Sequence, residues 1–385
     1  VLFRSASYYD QNGSNNYGYG VNLFGQTGYA AGFSFGGLFS IMNPLFSNNL
    51  NPSNPVNQAT WLPISSLISP SELFAEYRYS DLLQINAGYI GMPDIPWMTY
   101  YQNNALNVVT YQGVLVHVAP SPNWVIAGFA INGAQFLGEN GFSKQTIYNN
   151  TFNITTETVD ISNDSSSGSF GLGVQWNSDE SIINARLWGY QFNGYSNLIY
   201  ADTTLKLPVN DNTGFTVEAQ GSIQTPNIND PAFNILNNNG YGSNTQSNMV
   251  GLQAGFNYAI FGLQLSYNNI WGPNGSFAGG DIIAPYTYSY ATDPLYTTGW
   301  LQGLVELSAG QAYKIAPSLN LFDSNLVISP SYEYFATTAI PATAEYDLQI
   351  SYSIPQIKGF TIFGGYGYTT STNIYQGQVM FSYLY

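Results

Sequence analysis

Residues 376–385 read Gln-Gly-Gln-Val-Met-Phe-Ser-Tyr-Leu-Tyr, and their alternation decides the fold. Val379, Phe381, Tyr383 and Tyr385 fall on one face at period two, while Gln378, Met380 and Ser382 fall on the other. Side chains of a strand point alternately to opposite faces, so this ribbon has a greasy side and a mostly small or polar side. On the edge of a soluble sheet, such a row of apolar side chains would be an aggregation hazard. In a closed wall, with hydrocarbon on one side and water on the other, the same row meets the solvent it prefers.

Composition points the same way. Charged residues make up 8% of the 385, against about 25% in ordinary soluble chains, whereas aromatics reach 16%, with 32 Tyr and 23 Phe. A surface so poor in charge calls for a cover other than water. The chain contains no run of about 18 uncharged apolar residues, which argues against helical membrane spans. A barrel is the other structure that satisfies every backbone group inside hydrocarbon. Its polar interior dilutes hydropathy to the observed mean of -0.08. Cysteine is absent, which removes disulfides and thiolate chemistry and fits an oxidising envelope compartment. The chain opens on Val1-Leu-Phe-Arg, already strand-like, and is expected to be a processed form whose export signal has been removed. The net charge of -15 comes from 22 acids against seven bases, Arg4, Arg78, Lys144, Arg186, Lys206, Lys314 and Lys358. That balance excludes nucleic acid, whose binders present basic patches.

Period-two segments recur along the whole chain, and the longest connections fall at every second position. The segments predict an all-β fold: a single closed antiparallel transmembrane β-barrel over residues 1–385, with 18 strands, short periplasmic turns and long extracellular loops. An even count puts both termini on one side, read as the periplasm. The over-long strand Trp300–Ile315 and Pro330 within a strand are the places where the count drops to 16. The alternation assigns inward faces: Glu72, Glu76 and Arg78 on Ser71–Tyr79; Arg186; Asp202 and Lys206; Glu218; Glu306 and Lys314 on Trp300–Ile315; Glu333; Glu345 and Asp347. Eight acids against four bases make the lumen net negative, which concentrates cations between low-dielectric walls.

The closing segment, with its terminal aromatic, resembles the C-terminal signal of bacterial outer-membrane barrels. The chain as a whole resembles the OprD family of outer-membrane porins. The likeness lies in Asn22-Leu-Phe-Gly-Gln-Thr-Gly-Tyr-Ala-Ala-Gly-Phe-Ser-Phe-Gly, in Ser71-Glu-Leu-Phe-Ala-Glu-Tyr-Arg-Tyr with Leu83-Gln-Ile-Asn-Ala-Gly-Tyr, and in Ala185-Arg-Leu-Trp-Gly-Tyr with Asn197-Leu-Ile-Tyr-Ala-Asp, in that order. Pro96 to Gly113 is similar to the family's third loop, which folds into the pore. The resemblance therefore implies a constriction in Gly91–Asn107, where Asp94, Trp97, Tyr100, Tyr101 and Gln102 supply aromatic rings and polar tips. Family members that take up basic amino acids carry a ladder of arginines along one wall. This chain lacks that ladder, so no substrate is carried over.

Enzyme readings fare poorly. His117 is the only histidine and cysteine is absent, so a His/Cys metal centre is excluded and no cofactor is implied. Carboxylate pairs such as Glu345 and Asp347 have the residue types of a glycosidase, but on a strand facing a pore they read as lining. Phe363-Gly-Gly-Tyr-Gly lacks the helix that a phosphate loop needs. The expected protein is a passive, weakly cation-selective outer-membrane channel for small hydrophilic solutes or ions. Its expected surroundings are outer-membrane lipid and lipopolysaccharide, as a monomer or homotrimer, with no nucleic acid. The alternatives are a structural or adhesive barrel with contact-forming loops, and a soluble all-β carbohydrate-binding protein. Scarce fixed charge also suits a surface bathed in acidic water.

Overall fold

The computed structural model describes the chain apart from residues 1, 11–14, 48–55, 58–61, 64, 101–105, 138, 140, 145, 147–152, 155–156, 159–165, 179–180, 228–243, 288–290 and 372–374. Eighteen strands form one antiparallel sheet. The first six are β1 (Leu2–Asp10), β2 (Asn15–Gln26), β3 (Phe33–Ser47), β4 (Leu67–Tyr79), β5 (Leu83–Ile90) and β6 (Thr110–Ser121). Then come β7 (Trp124–Gln135), β8 (Ser169–Asn177), β9 (Ile183–Phe192), β10 (Ser196–Asn210), β11 (Thr213–Pro226) and β12 (Ser247–Tyr258). The last are β13 (Phe261–Trp271), β14 (Gly310–Leu321), β15 (Leu326–Thr337), β16 (Thr343–Ser353), β17 (Phe360–Thr369) and β18 (Tyr375–Leu384). Each pairs with its neighbours in sequence, and β1 also pairs with β18, as in Phe3 opposite Tyr383. The sheet therefore closes on itself and has no edge, which removes the hazard attached to a greasy last strand.

The strand alternation holds. Val379 and Phe381 of β18 are exposed on the outer wall, whereas Gln378 and Met380 are buried inside it. Leu172 of β8 leaves 65% of its surface on that outer wall. Both ends of the chain lie with the short connections, such as 80–82, 122–123, 211–212 and 259–260, and the long connections 48–66, 91–109, 136–168, 227–246 and 272–309 share the opposite end.

β3 begins at Phe33, because residues 27–32 form a wide turn in which Gly32 takes φ +85° against Tyr77 and the Arg78 carbonyl. The strand expected over Trp300–Ile315 begins only at Gly310, and the preceding residues belong to a long connection that includes a one-turn helix, α1 (Leu304–Leu307). Pro330 stays inside β15, so the count remains 18. Pairing of β14 with β15 runs to Ile315 opposite Tyr332 and resumes at Leu319 opposite Ile328. The interruption brings Pro317 across from Pro330, where neither residue has an N–H to donate.

The interior is not an empty bore. Inward residues of β6 to β10, including Phe129, Trp188, Tyr190, Phe192 and Tyr200, join loop residues Trp97, Phe277, Ile282, Tyr286 and Leu304 in one buried apolar cluster. Strand glycines make the room. A side-chain carbon on Gly171 would meet the Phe129 ring, and one on Gly173 the Trp188 ring. A second, smaller cluster of Ala6, Met42, Leu62, Leu67, Leu106 and Met380 lies against β1, β3, β4 and β18.

Candidate pore constriction

Two loops cross the inside of the ring. Residues 91–109 connect β5 to β6 and turn inward at once. At one end of this loop the Leu106 carbonyl accepts a hydrogen bond from Asn22 Nδ2 of β2 at 2.9 Å. At the other, the Pro96 carbonyl accepts from Tyr190 Oη of β9 at 2.7 Å, and Trp97 sets its ring edge-on to Tyr200 of β10 with centroids 6.0 Å apart. β2 stands far around the eighteen-strand ring from β9 and β10, so the two described ends of the loop reach well-separated parts of the wall. Trp97 holds φ +63°, rare for a residue with a side chain. That turn drives its indole into the wall, where 1% of the residue remains exposed.

Residues 272–309 form the second crossing. Gln224 of β11 donates to the Ile283 carbonyl at 2.8 Å and accepts from the Ile283 N–H at 2.9 Å. Tyr286 Oη lies 2.9 Å from Ser169 Oγ of β8. Farther round the ring, the N–H of Trp300 donates to Asp347 Oδ2 at 2.9 Å and that of Leu301 to Glu345 Oε1 at 2.6 Å, both carboxylates being on β16. The two crossings meet where Thr99 Oγ1 and Thr292 Oγ1 lie 2.5 Å apart. Between Pro93–Tyr100, Arg186, Thr292 and Pro294 remains a cavity of about 350 Å³, near the low end for a ligand pocket, about 300–1,000 Å³.

The structure finds partners for most of the acids counted along the lumen. Arg186 grips Asp202 with two parallel hydrogen bonds, Nε to Oδ1 at 2.9 Å and Nη2 to Oδ2 at 2.6 Å. Glu76 is buried and accepts from Gln26 Nε2 at 3.1 Å and Tyr29 Oη at 2.5 Å, with Arg78 Nη2 3.0 Å away. Lys314 Nζ lies 2.9 Å from Glu333 and donates to the Thr298 carbonyl at 2.8 Å. Glu72 is buried and bonds the Tyr100 hydroxyl. Burial, with Glu72 beside it, pushes the Tyr100 phenol above its ordinary range. Glu218 accepts from Thr204 Oγ1 at 2.9 Å and from Gln253, while Lys206 on the same wall is exposed.

Three placements depart from the sequence reading. Glu306 is not on a strand but on α1 of the 272–309 loop, its carboxylate oxygens buried among the loop's own backbone. Burial and neighbouring Asp293 raise its carboxyl well above the usual range; burial raises Asp293 likewise. Trp97 does not narrow the path with its ring but packs into the wall. Within the loop, Asp94 is exposed, whereas Tyr101 and Gln102 lie outside the described residues. Arg4, left off the inward faces, belongs there: it pairs across the sheet with Gly20, whose inner side meets Leu106 and Met42, and its Nε donates to Ser382 Oγ at 3.3 Å. Its register with the last strand would have revealed it.

The ion pairs were also readable from register. Arg186 and Asp202 are equidistant from Gly194, the middle of the β9–β10 turn, and so face each other across the hairpin.

No protein-family profile matches the chain, and no curated protein matches it by sequence. Solved structures do match. OpdK of Pseudomonas aeruginosa, crystallised with vanillate, superposes with a TM-score of 0.76 over 99% of this chain and 96% of its own, at 14% identity. OccK8 (OprE) of the same organism gives a TM-score of 0.80 at 13% identity over the same shares. OccAB3 of Acinetobacter baumannii gives 0.75 at 12%, covering 99% of this chain and 97% of its own. These neighbours are porins of the OprD (Occ/Opd) family. What this chain shares with them is the fold, a closed eighteen-strand antiparallel barrel.

Proposed function

We propose that this barrel is an outer-membrane porin through which small hydrophilic solutes diffuse passively, with both termini in the periplasm. The observation that carries the reading is the pair of loops tied across a closed, lipid-compatible wall, with a polar cavity left between them at the Arg186 wall. A channel that sorts solutes needs a narrow section whose lining is fixed in place, and residues 91–109 are anchored at both ends. No chemistry is implied. A weak preference for cations follows from the constriction rather than from the whole lumen. Arg186 is balanced by Asp202, and the exposed carboxylate of Asp94 at the cavity faces only the weakly basic imidazole of His117 among the described residues.

The chain, purified in detergent and added to planar bilayers, is expected to give ohmic unitary steps with a reversal potential slightly on the cation side in a salt gradient. A second reading draws on the apolar cluster inside the ring: a sealed structural or adhesive barrel whose loops make contacts. Folded protein that inserts without any conductance favours that reading and removes the first.

A further inference from the structure

The constriction carries one arginine, and its surroundings indicate what it is for. Asp202 takes two of the guanidinium nitrogens, Nε and Nη2, and both carboxylate oxygens are used in doing so. Nη1 has no partner among the described residues. Arg186 lines the cavity with 30% of its side chain exposed, whereas Asp202 sits behind it with 8% exposed. The guanidinium thus shows donors to the cavity while its charge is cancelled from the rear. Asp94 is exposed on the same cavity and adds a carboxylate whose charge reaches His117 of β6, an imidazole that carries no full positive charge at neutral pH.

An anion entering this space surrenders its hydration, meets a cation that is already neutralised and is repelled by Asp94. A neutral solute with hydroxyl groups surrenders less. Its oxygens accept from Nη1, and its hydroxyl hydrogens donate to Asp94. Resting on the channel reading above, we infer that the Arg186–Asp202 pair makes the constriction selective for neutral polyhydroxy solutes over carboxylates of the same size. Asp202 is then the specificity-determining residue, acting through the arginine it holds.

Swelling of proteoliposomes carrying the full chain tests this with a neutral hexose and the corresponding uronate as probes. The hexose is expected to enter faster. In Asp202→Asn the guanidinium loses its counter-charge, so the uronate rate rises relative to the hexose rate and the reversal potential in a potassium chloride gradient moves to the anion side. Arg186→Gln combined with Asp202→Asn removes one charge of each sign and returns the reversal potential to the wild-type side. Asp94→Asn, on an exposed loop position, shifts it toward anions whether or not Asp202→Asn folds. Wild-type protein that passes the uronate as fast as the hexose overturns the inference, as do Asp202→Asn and Asp94→Asn channels whose selectivity is unchanged. Wild-type protein that conducts nothing overturns the channel reading itself.

Discussion

Thr99 and Thr292, on two loops that start far apart in the chain, join hydroxyl to hydroxyl at 2.5 Å inside the barrel. Thr99 is buried, and its carbonyl also accepts from Tyr111 Oη of β6 at 2.7 Å. The pair couples the first crossing to the second, so neither can swing aside alone. Thr99→Val is expected to cost about 0.5–1.5 kcal/mol of loop stability, the usual net worth of one hydrogen bond. It should appear as more frequent flicker in single-channel records. Thr292→Val should give the same flicker, and the double variant no more than either alone.

Lys314 holds the second crossing to the wall, facing Glu333, which has 0% of its surface exposed. Lys314→Met leaves that carboxylate buried without a cation, a change that costs roughly 3–5 kcal/mol in known buried pairs. The unfolding temperature in detergent should fall sharply. Adding Glu333→Leu should restore most of it, since an apolar pair of similar volume needs no counter-charge.

Asp281, Asp293 and Glu306 lie together in the 272–309 loop, and burial raises all three carboxyls. Lys314 is the base that acts on Asp293. A carboxyl raised in the packed loop binds its proton more tightly there than in a released loop. Packing is therefore strongest below the ordinary carboxyl range and weakens as pH rises through the raised values. Open-channel flicker should increase from acid to alkaline pH. Glu306→Gln, permanently neutral, should flatten that dependence, and an equally steep profile in the variant would assign the effect elsewhere.

Gly299 and Gly91 test how closely the loops fit. A side-chain carbon on Gly299 would lie 2.6 Å from Glu345 Oε1, and one on Gly91 would run into the Tyr100 ring. Gly299→Ala is expected to break the Leu301–Glu345 bond and free the second crossing. Gly91→Ala is expected to push Tyr100 off Glu72. Each should change unitary conductance without changing the β-sheet signal in far-ultraviolet circular dichroism.

The wall was legible because a strand between lipid and water must alternate, and every outward Leu, Phe or Tyr records that demand. The contents of the wall were not. Leu301, Leu304 and Val305 are apolar because they pack inside the ring, yet in sequence they look the same as lipid-facing residues. That is why Trp300–Ile315 read as one long strand. Trp97 misled in the same manner, since an aromatic residue suits a pore lining and a packed wall equally well. Glu306 was counted on a strand and stands on a loop helix, and a sum of charges shows nothing of which acid meets which base. Arg186, Arg78 and Lys314, all within that sum, each sit against one particular carboxylate.

A cylinder of strands resists stretching along its hydrogen bonds but flattens easily under sideways load. Pro96, fastened to β9, and Leu106, fastened to β2, belong to one short covalent connection, which limits how far those two sides of the cylinder can part. Squeezing from the surrounding membrane must strain those fastenings before it can turn the round section oval, so the aperture keeps its gauge when lateral pressure changes.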